Sequence, residues 1–287
     1  MSGRNLMNNQ IIRILFYNAI VSGLGLFLIR NFFNSPFNEY LLAFLLFGLV
    51  IFDSVLSKKK LNYYGIKKPN KNDIKLAFVL LALFFPISII SRVFFPNFDI
   101  FYAKSLGLDY QNLSTFLIFS IPIAIVVEEI GMRSLLQSKL SSVFSDRWAI
   151  YITITNFALI HFGWFFYVDL TSFLIILFTV LAYSMFLAIL FYYTKNIFLT
   201  ITTHLLVNVI SSFQIVFHIN NQIFYELILW ILWGIYFILL SPIAINLLRK
   251  GFDSAKARKL ENVSDKLLVA LLSIFSLLTI LFLTFVV

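Results

Sequence analysis

The chain contains no cysteine among its 287 residues, and this absence removes several classes of chemistry. Disulfide bonds, thiolate zinc sites and a cysteine nucleophile are all excluded. Charged residues are also few, at 12% of the sequence, whereas 61% of residues are hydrophobic and the mean hydropathy is +0.94. A soluble domain carries far more charge than this. The composition therefore predicts an integral membrane protein without a soluble domain.

Apolar runs recur along the whole chain, and an α-helix needs about 20 apolar residues to cross a bilayer. The sequence predicts an all-α, polytopic bundle of eight or nine transmembrane helices, forming a single integral membrane domain over residues 1–287. The first run lacks a small-residue cleavage site, which indicates a retained span rather than a signal peptide. The nine expected spans are Ile11–Ile29, Tyr40–Leu56, Ile74–Phe94, Leu113–Met132, Trp148–Phe166, Leu170–Tyr193, Ile197–Phe217, Ile223–Leu248 and Leu267–Val287.

The net charge of +9 comes from basic residues in short loops between the apolar runs. Most of these residues follow the second, fourth, sixth and eighth runs. This alternation is the positive-inside pattern, and it predicts a cytoplasmic N-terminus. Because the charge is explained by membrane topology, nucleic acid is not the expected partner. Richness in Phe, Ile, Leu, Asn and Lys favours a bacterial plasma membrane as the location.

Two adjacent carboxylates, Glu128 and Glu129, stand near the predicted cytoplasmic end of the fourth span. A carboxylate in hydrocarbon costs several kcal/mol, so such a pair indicates a functional site. Glu129 and Arg133 are i,i+4 neighbours and can form an ion pair. Glu128 is rotated by about 100° and remains available for another partner. The alternative is a helix end that extends its charges to the headgroups. After Arg133 the sequence resembles an amphipathic continuation along the cytoplasmic interface.

Two of the three histidines also lie in apolar runs. His161 follows Phe157 in the fifth run. His204 and Asn208 are four residues apart in the seventh run and share one helix face. Either histidine alone is explained equally well by a hydrogen bond between helices. Together with the glutamate pair, they indicate peptide-bond hydrolysis inside the membrane.

Helix rise gives each side chain an expected depth. His204 should lie about 10 Å from the cytoplasmic face and Asn208 about 16 Å. His161 should lie at about 20 Å if its span begins at Trp148, which is deeper than Glu128. The proximity of His161 to the other site residues is therefore the expectation that a structure tests most directly.

These motifs resemble those of the CPBP family, the CAAX-protease and bacteriocin-processing (Abi) group of intramembrane endopeptidases. The family pattern is Glu-Glu-x-x-x-Arg, then Phe-x-x-x-His, then His-x-x-x-Asn or Asp. All three motifs occur here in that order on separate apolar runs, and they indicate a catalytic core at about residues 113–217. The matching residues are Glu128, Glu129, Arg133, Phe157, His161, His204 and Asn208.

The resemblance implies a role for each matched residue. Glu128 would be the general base, and His161 would help it to hold and activate a water molecule. His204 and Asn208 would donate hydrogen bonds to the tetrahedral oxyanion. The residues that would order the site are Glu129, Arg133 and Phe157.

The family has also been described as metalloproteases, so a zinc site is an alternative. Its ligands would be Glu128, His161 and His204, with water in the fourth position. A mechanism without a cofactor is favoured, because asparagine is an uncommon zinc ligand but a good amide donor.

The resemblance implies a membrane-associated peptide or protein as the substrate. In a bacterium this would be a bacteriocin or pheromone precursor, and self-immunity to bacteriocins is a related role. A non-catalytic scaffold for membrane partners is the main alternative. A proton-coupled transporter would also use intramembrane Glu and His, but it predicts half-repeats that the sequence lacks.

Overall fold

A computed structural model describes residues 36–94, 121–161 and 169–254, together with single positions 17, 114, 117 and 118. Every regular element in this part of the chain is helical, which confirms the predicted all-α class there. The elements are α1 (Pro36–Ser57), a 3₁₀ helix (Leu61–Tyr64), α2 (Lys71–Leu81), α3 (Phe84–Phe94), α4 (Ile121–Glu129), a π-helix (Ile130–Gln137), α5 (Ser138–Val143), α6 (Asp146–Ile160), α7 (Leu170–Thr194), α8 (Ile197–Ile219) and α9 (Ile223–Ser254).

Four segments among the described residues are long and apolar enough to cross a bilayer, and they make this a multi-pass membrane protein. They coincide with the third, sixth, seventh and eighth predicted spans. They are Lys71–Val93, Leu170–Thr194, Ile197–Ile219 and Ile223–Lys250. The second predicted span corresponds to α1, whose apolar part, Ala43–Ser57, is shorter. The first and last predicted spans, Ile11–Ile29 and Leu267–Val287, lie outside the described residues except for Tyr17.

The fourth predicted span was expected to end at Met132, with its continuation lying along the interface. The interfacial location predicted for this continuation is wrong. The helix continues from α4 through the π-helix and α5 as far as Val143, and residues 130–140 are all buried in protein. π-helical turns are rare and are often found at functional sites. This one begins directly after Glu129.

The fifth predicted span, Trp148–Phe166, also differs from the structure. Helix α6 starts earlier, where the Ser145 hydroxyl accepts a hydrogen bond from Trp148 N at 3.4 Å. It ends at Ile160, and His161 is its C-terminal cap with φ −88° and ψ 0°. Hydropathy cannot detect this end, because the sequence stays apolar beyond it. His161 therefore lies at a helix end rather than inside a helix.

A buried ion pair explains why Lys139, the one charged residue between Arg133 and Val143, lies inside the protein. Lys139 pairs with Asp53 of α1, which is fully buried. Asp53 also accepts hydrogen bonds from the hydroxyls of Tyr17 (2.7 Å), Tyr64 and Ser57 (3.2 Å). Because both carboxylate oxygens are occupied, the two charges can remain in a low-dielectric interior. The pair fastens α5 to α1.

The basic loop after α1 is attached to the start of α8. Gly65 has φ +81°, and a Cβ atom there would lie 2.5 Å from the ring of Phe191. The Gly65 carbonyl accepts a hydrogen bond from Ile197 N at 2.9 Å. Asn196 Nδ2 donates to the Lys67 carbonyl at 2.8 Å. Asn196 is also the N-cap of α8, since its side chain accepts from Leu199 N. These contacts set where α8 begins.

The Asp53 cluster makes a test of stability possible. Asp53→Leu leaves Lys139 and two tyrosine hydroxyls without their acceptor, so we expect it to cost about 3–5 kcal/mol. Lys139→Met leaves Asp53 with its hydroxyl donors and should cost less. Thermal unfolding in detergent measures both, and Lys60→Met at an exposed loop position is the control. Equal losses for the two variants would contradict the central role of Asp53.

Candidate active site

Glu128 and Glu129 end helix α4, which packs between α1 and α8. Their environments differ, as the rotation of about 100° between adjacent helical positions predicts. The Glu129 side chain is fully buried, whereas that of Glu128 is 23% exposed. The helix therefore presents one enclosed carboxylate and one that solvent or substrate can reach.

Both oxygens of the Glu129 carboxylate are engaged. Arg133 Nε donates to Oε2 at 3.2 Å, so the predicted i,i+4 ion pair is present. Oε1 lies 2.9 Å from Nδ1 of His204 on α8. Sequence analysis did not predict this second contact, because it joins segments that are 75 residues apart. Glu129 thus connects the π-helix to α8.

Arg133 is fully buried and makes further contacts beyond Glu129. Its Nη2 donates to the Ser184 hydroxyl at 3.1 Å and to the Ser184 carbonyl at 3.3 Å. Its guanidinium lies 5.5 Å from the centre of the Phe157 ring, a cation–π distance. Sequence reasoning missed Ser184, and a serine within an apolar run is only a weak signal. Arg133 therefore joins α7 and α6 to the π-helix.

Phe157 connects the two histidines of the motifs. The His161 ring lies 4.9 Å from the Phe157 ring, and His161 Nδ1 is 2.8 Å from the Phe157 carbonyl oxygen. On the other side, the Phe157 and His204 ring centres are 6.2 Å apart. The expected depth difference therefore does not separate His161 from the rest of the group. The structure links His161 to His204 through an aromatic ring.

Glu128 and His204 face each other without direct hydrogen bonding. Glu128 Oε2 lies 3.9 Å from His204 Nε2, beyond the range of a hydrogen bond. A polar gap of this size can be bridged by water. Asn208 stands one helical turn beyond His204 on α8 and is half-buried. Its side chain makes no hydrogen bond within the described residues, so its amide is available to a ligand.

The alternative zinc site requires Glu128, His161 and His204 to act together. Within the described residues, no group of three or more His, Asp or Glu side chains is arranged to hold a metal ion. The arrangement does not fit a three-ligand zinc centre.

Comparison with known proteins gives one match. Residues 110–210 match the family model described as Type II CAAX prenyl endopeptidase Rce1-like. The match includes all three motifs, from Glu128 to Asn208, within 101 of the 287 residues. No curated protein and no solved structure matches the chain significantly.

The Glu129–Arg133 pair should be a stability determinant. Glu129→Gln or Arg133→Gln leaves the partner charge buried and uncompensated, so we expect each to lose about 3–5 kcal/mol of stability. The double variant Glu129→Gln/Arg133→Met should be more stable than either single variant. Thermal unfolding in detergent is the measurement. Glu226→Gln, which alters a partly exposed contact with His218, is the control and should cost little. Unchanged melting of both single variants would contradict the buried pair.

Proposed function

Residues 110–210 form a domain of the Rce1-like type II CAAX prenyl endopeptidase family, and on this premise we propose that the protein is an intramembrane endopeptidase. The supporting observation is the arrangement around His204. Glu129 holds Nδ1 of His204, and Nε2 faces the accessible carboxylate of Glu128 across 3.9 Å. A base and a donor therefore face each other inside the bundle, at a separation that a water molecule can bridge.

In the proposed reaction, Glu128 is the general base. It takes a proton from a water molecule, whose oxygen attacks the carbonyl carbon of the scissile peptide bond. The proton then passes from Glu128 to the amide nitrogen as the carbon–nitrogen bond breaks. The products are a carboxylate and an amine, and Glu128 returns to its starting form. His161 assists by holding the water from the opposite side.

His204 and Asn208 are the proposed donors to the oxyanion. Because Nδ1 of His204 donates to Glu129, donation from Nε2 requires the doubly protonated ring. Glu129 is then a positioning residue that fixes the direction of Nε2.

The substrate class follows from the location of the site. We propose a membrane-associated peptide or protein, of the kind represented by a bacteriocin or pheromone precursor, with self-immunity as a related role. The basic loops support a cytoplasmic N-terminus and a site that opens toward the cytoplasm. The proposed location is a bacterial plasma membrane, and nucleic acid is not a proposed partner.

The alternative is a non-catalytic scaffold that retains the fold. A scaffold has no need for the accessible carboxylate of Glu128 or for the amide of Asn208, because polar groups inside the membrane cost stability. Their positions beside His204 therefore favour the enzyme.

Loss of Glu128 should abolish cleavage without unfolding the protein. The assay uses purified protein in phosphatidylcholine–phosphatidylglycerol vesicles with a library of single-span peptides carrying a fluorophore and a quencher. We expect Glu128→Gln to lower the rate by about 10²–10⁴-fold, as for removal of a general base. Glu226→Gln is the matched control and should cleave at the wild-type rate. Cleavage by Glu128→Gln at the wild-type rate, or no cleavage by the wild type, would favour the scaffold.

Cleavage should also persist without a metal. Protein stripped with a chelator, and shown to be metal-free by elemental analysis, should cleave the same peptide, because Glu128 and the His204–Asn208 donors supply base and oxyanion stabilisation. Activity that disappears on stripping and returns only with zinc would reassign Glu128, His161 and His204 as ligands.

A further inference from the structure

Polar residues continue along α8 beyond the candidate active site. His204, Asn208, Ser211 and His218 are spaced so that they fall within a sector of about 80° on the helix. Asn208 and Ser211 are half-buried, and His218 is exposed at the end of the helix. This polar stripe leads from the active site toward the end of α8 opposite Ile197.

Gln214 lies beside this stripe and is the least satisfied polar residue of α8. Its side chain is fully buried, and within the described residues neither its amide nitrogen nor its amide oxygen has a hydrogen-bond partner. A buried polar group without a partner costs about 1–3 kcal/mol. Such groups are rare in folded proteins and require an explanation.

The position of Gln214 can be inferred from the helix period. Val207 is seven residues earlier and shares its face, and Val207 packs in a cluster with Phe84, Ile87 and Trp233. Gln214 therefore lies on the same face of α8 as this cluster, about two turns nearer to the far end of the helix.

Hydroxyl groups are concentrated in this part of the interior. Ser88 and Ser91 of α3 are both buried. The Tyr183 hydroxyl lies beside the hydroxyls of Ser88 and Ser211. Ser211 precedes Gln214 by three residues, so these hydroxyl groups lie within about one helical turn of Gln214 along α8.

A protease that cleaves peptides inside a bilayer needs polar groups that bind the main chain of its substrate. A protease cleaves an extended chain, and an extended chain in hydrocarbon has unsatisfied N–H and C=O groups. A primary amide offers both a donor and an acceptor, so it complements one peptide group. Gln214 is ten residues beyond His204, which is about 15 Å along the helix. At about 3.3 Å per residue, an extended peptide covers this distance in four to five residues.

We propose that Gln214 is a substrate-binding residue whose amide hydrogen-bonds the main chain of a membrane-inserted, extended peptide four to five residues from the scissile bond. This inference rests on the proposed endopeptidase function and adds a recognition site to it. The amide is covered in the structure, so peptide entry has to separate α8 from its neighbours. The hydrogen bonds formed with the peptide offset the cost of that separation.

The experiment combines Gln214→Leu with an amide-to-ester scan. The probe is the library peptide that the wild type cleaves fastest, together with analogues in which single amides near the cleavage site are replaced by esters, which lack the N–H donor. In the wild type, an ester four to five residues from the scissile bond should raise KM about tenfold, with kcat nearly unchanged. Gln214→Leu should raise KM for the parent peptide by a similar factor and should show no further increase with that ester. Thr200→Val, at a buried position of α8 on the other side of His204, is the control and should leave KM unchanged.

Two independent measurements accompany the kinetics. Gln214→Leu should melt at or above the wild-type temperature, because it removes an unsatisfied amide. Gln137→Leu should melt lower, because the Gln137 amide donates to the Ala188 carbonyl at 2.9 Å. In the Glu128→Gln background, Gln214→Leu should raise the Kd for the parent peptide about tenfold.

The outcomes separate the two proposals. If the wild type cleaves no library peptide, the endopeptidase function fails and this inference fails with it. If peptides are cleaved but Gln214→Leu leaves KM and Kd unchanged, or the ester effect persists in that variant, only the role of Gln214 is overturned.

Discussion

The carboxylate of Glu129 is the group on which the arrangement of the site depends. A buried charge is tolerated only when its hydrogen-bonding capacity is filled by charged or polar partners. Glu129 meets this requirement with Arg133 on one oxygen and His204 on the other. Those two partners belong to different parts of the chain, so satisfying one carboxylate brings the π-helix and α8 together. The accessible residues, Glu128 and Asn208, have defined positions because their helical neighbours are held in this way.

The register of α8 is set at its first residue, Ile197, and not at His204. If the residue bonded to Gly65 at the start of α8 were one position earlier or later than Ile197, His204 would be rotated by about 100° away from Glu129. The start at Ile197 is fixed by the Asn196 cap and by the contact of Ile197 with Gly65, whose loop is otherwise polar and rich in lysine. A loop that looks like a simple topogenic signal in the sequence therefore has a structural role in aligning His204 with Glu129.

Local spacing and hydropathy predicted the features that depend on neighbours in sequence. The i,i+4 spacing predicted the Glu129–Arg133 pair, and the length of the apolar runs predicted the four long apolar helices. Features that depend on distant partners were not predictable. In the sequence Lys139 resembles an interfacial residue. Its charge partner, Asp53, lies 86 positions earlier in the chain. The end of α6 before His161 has no marker in hydropathy, and the His204–Glu129 contact depends on how two helices are rotated against each other.

The π-helix has a consequence for how this segment can change over evolutionary time. A π-helical turn is equivalent to one residue added to an α-helix without being looped out. It lies between Glu129, which is oriented toward α8, and Lys139, which is oriented toward α1. A regular α-helix would present these two ends at a different relative angle. Residues 130–137 should therefore accept changes of side chain more readily than insertions or deletions, because losing one position would shift the phase between the two ion pairs.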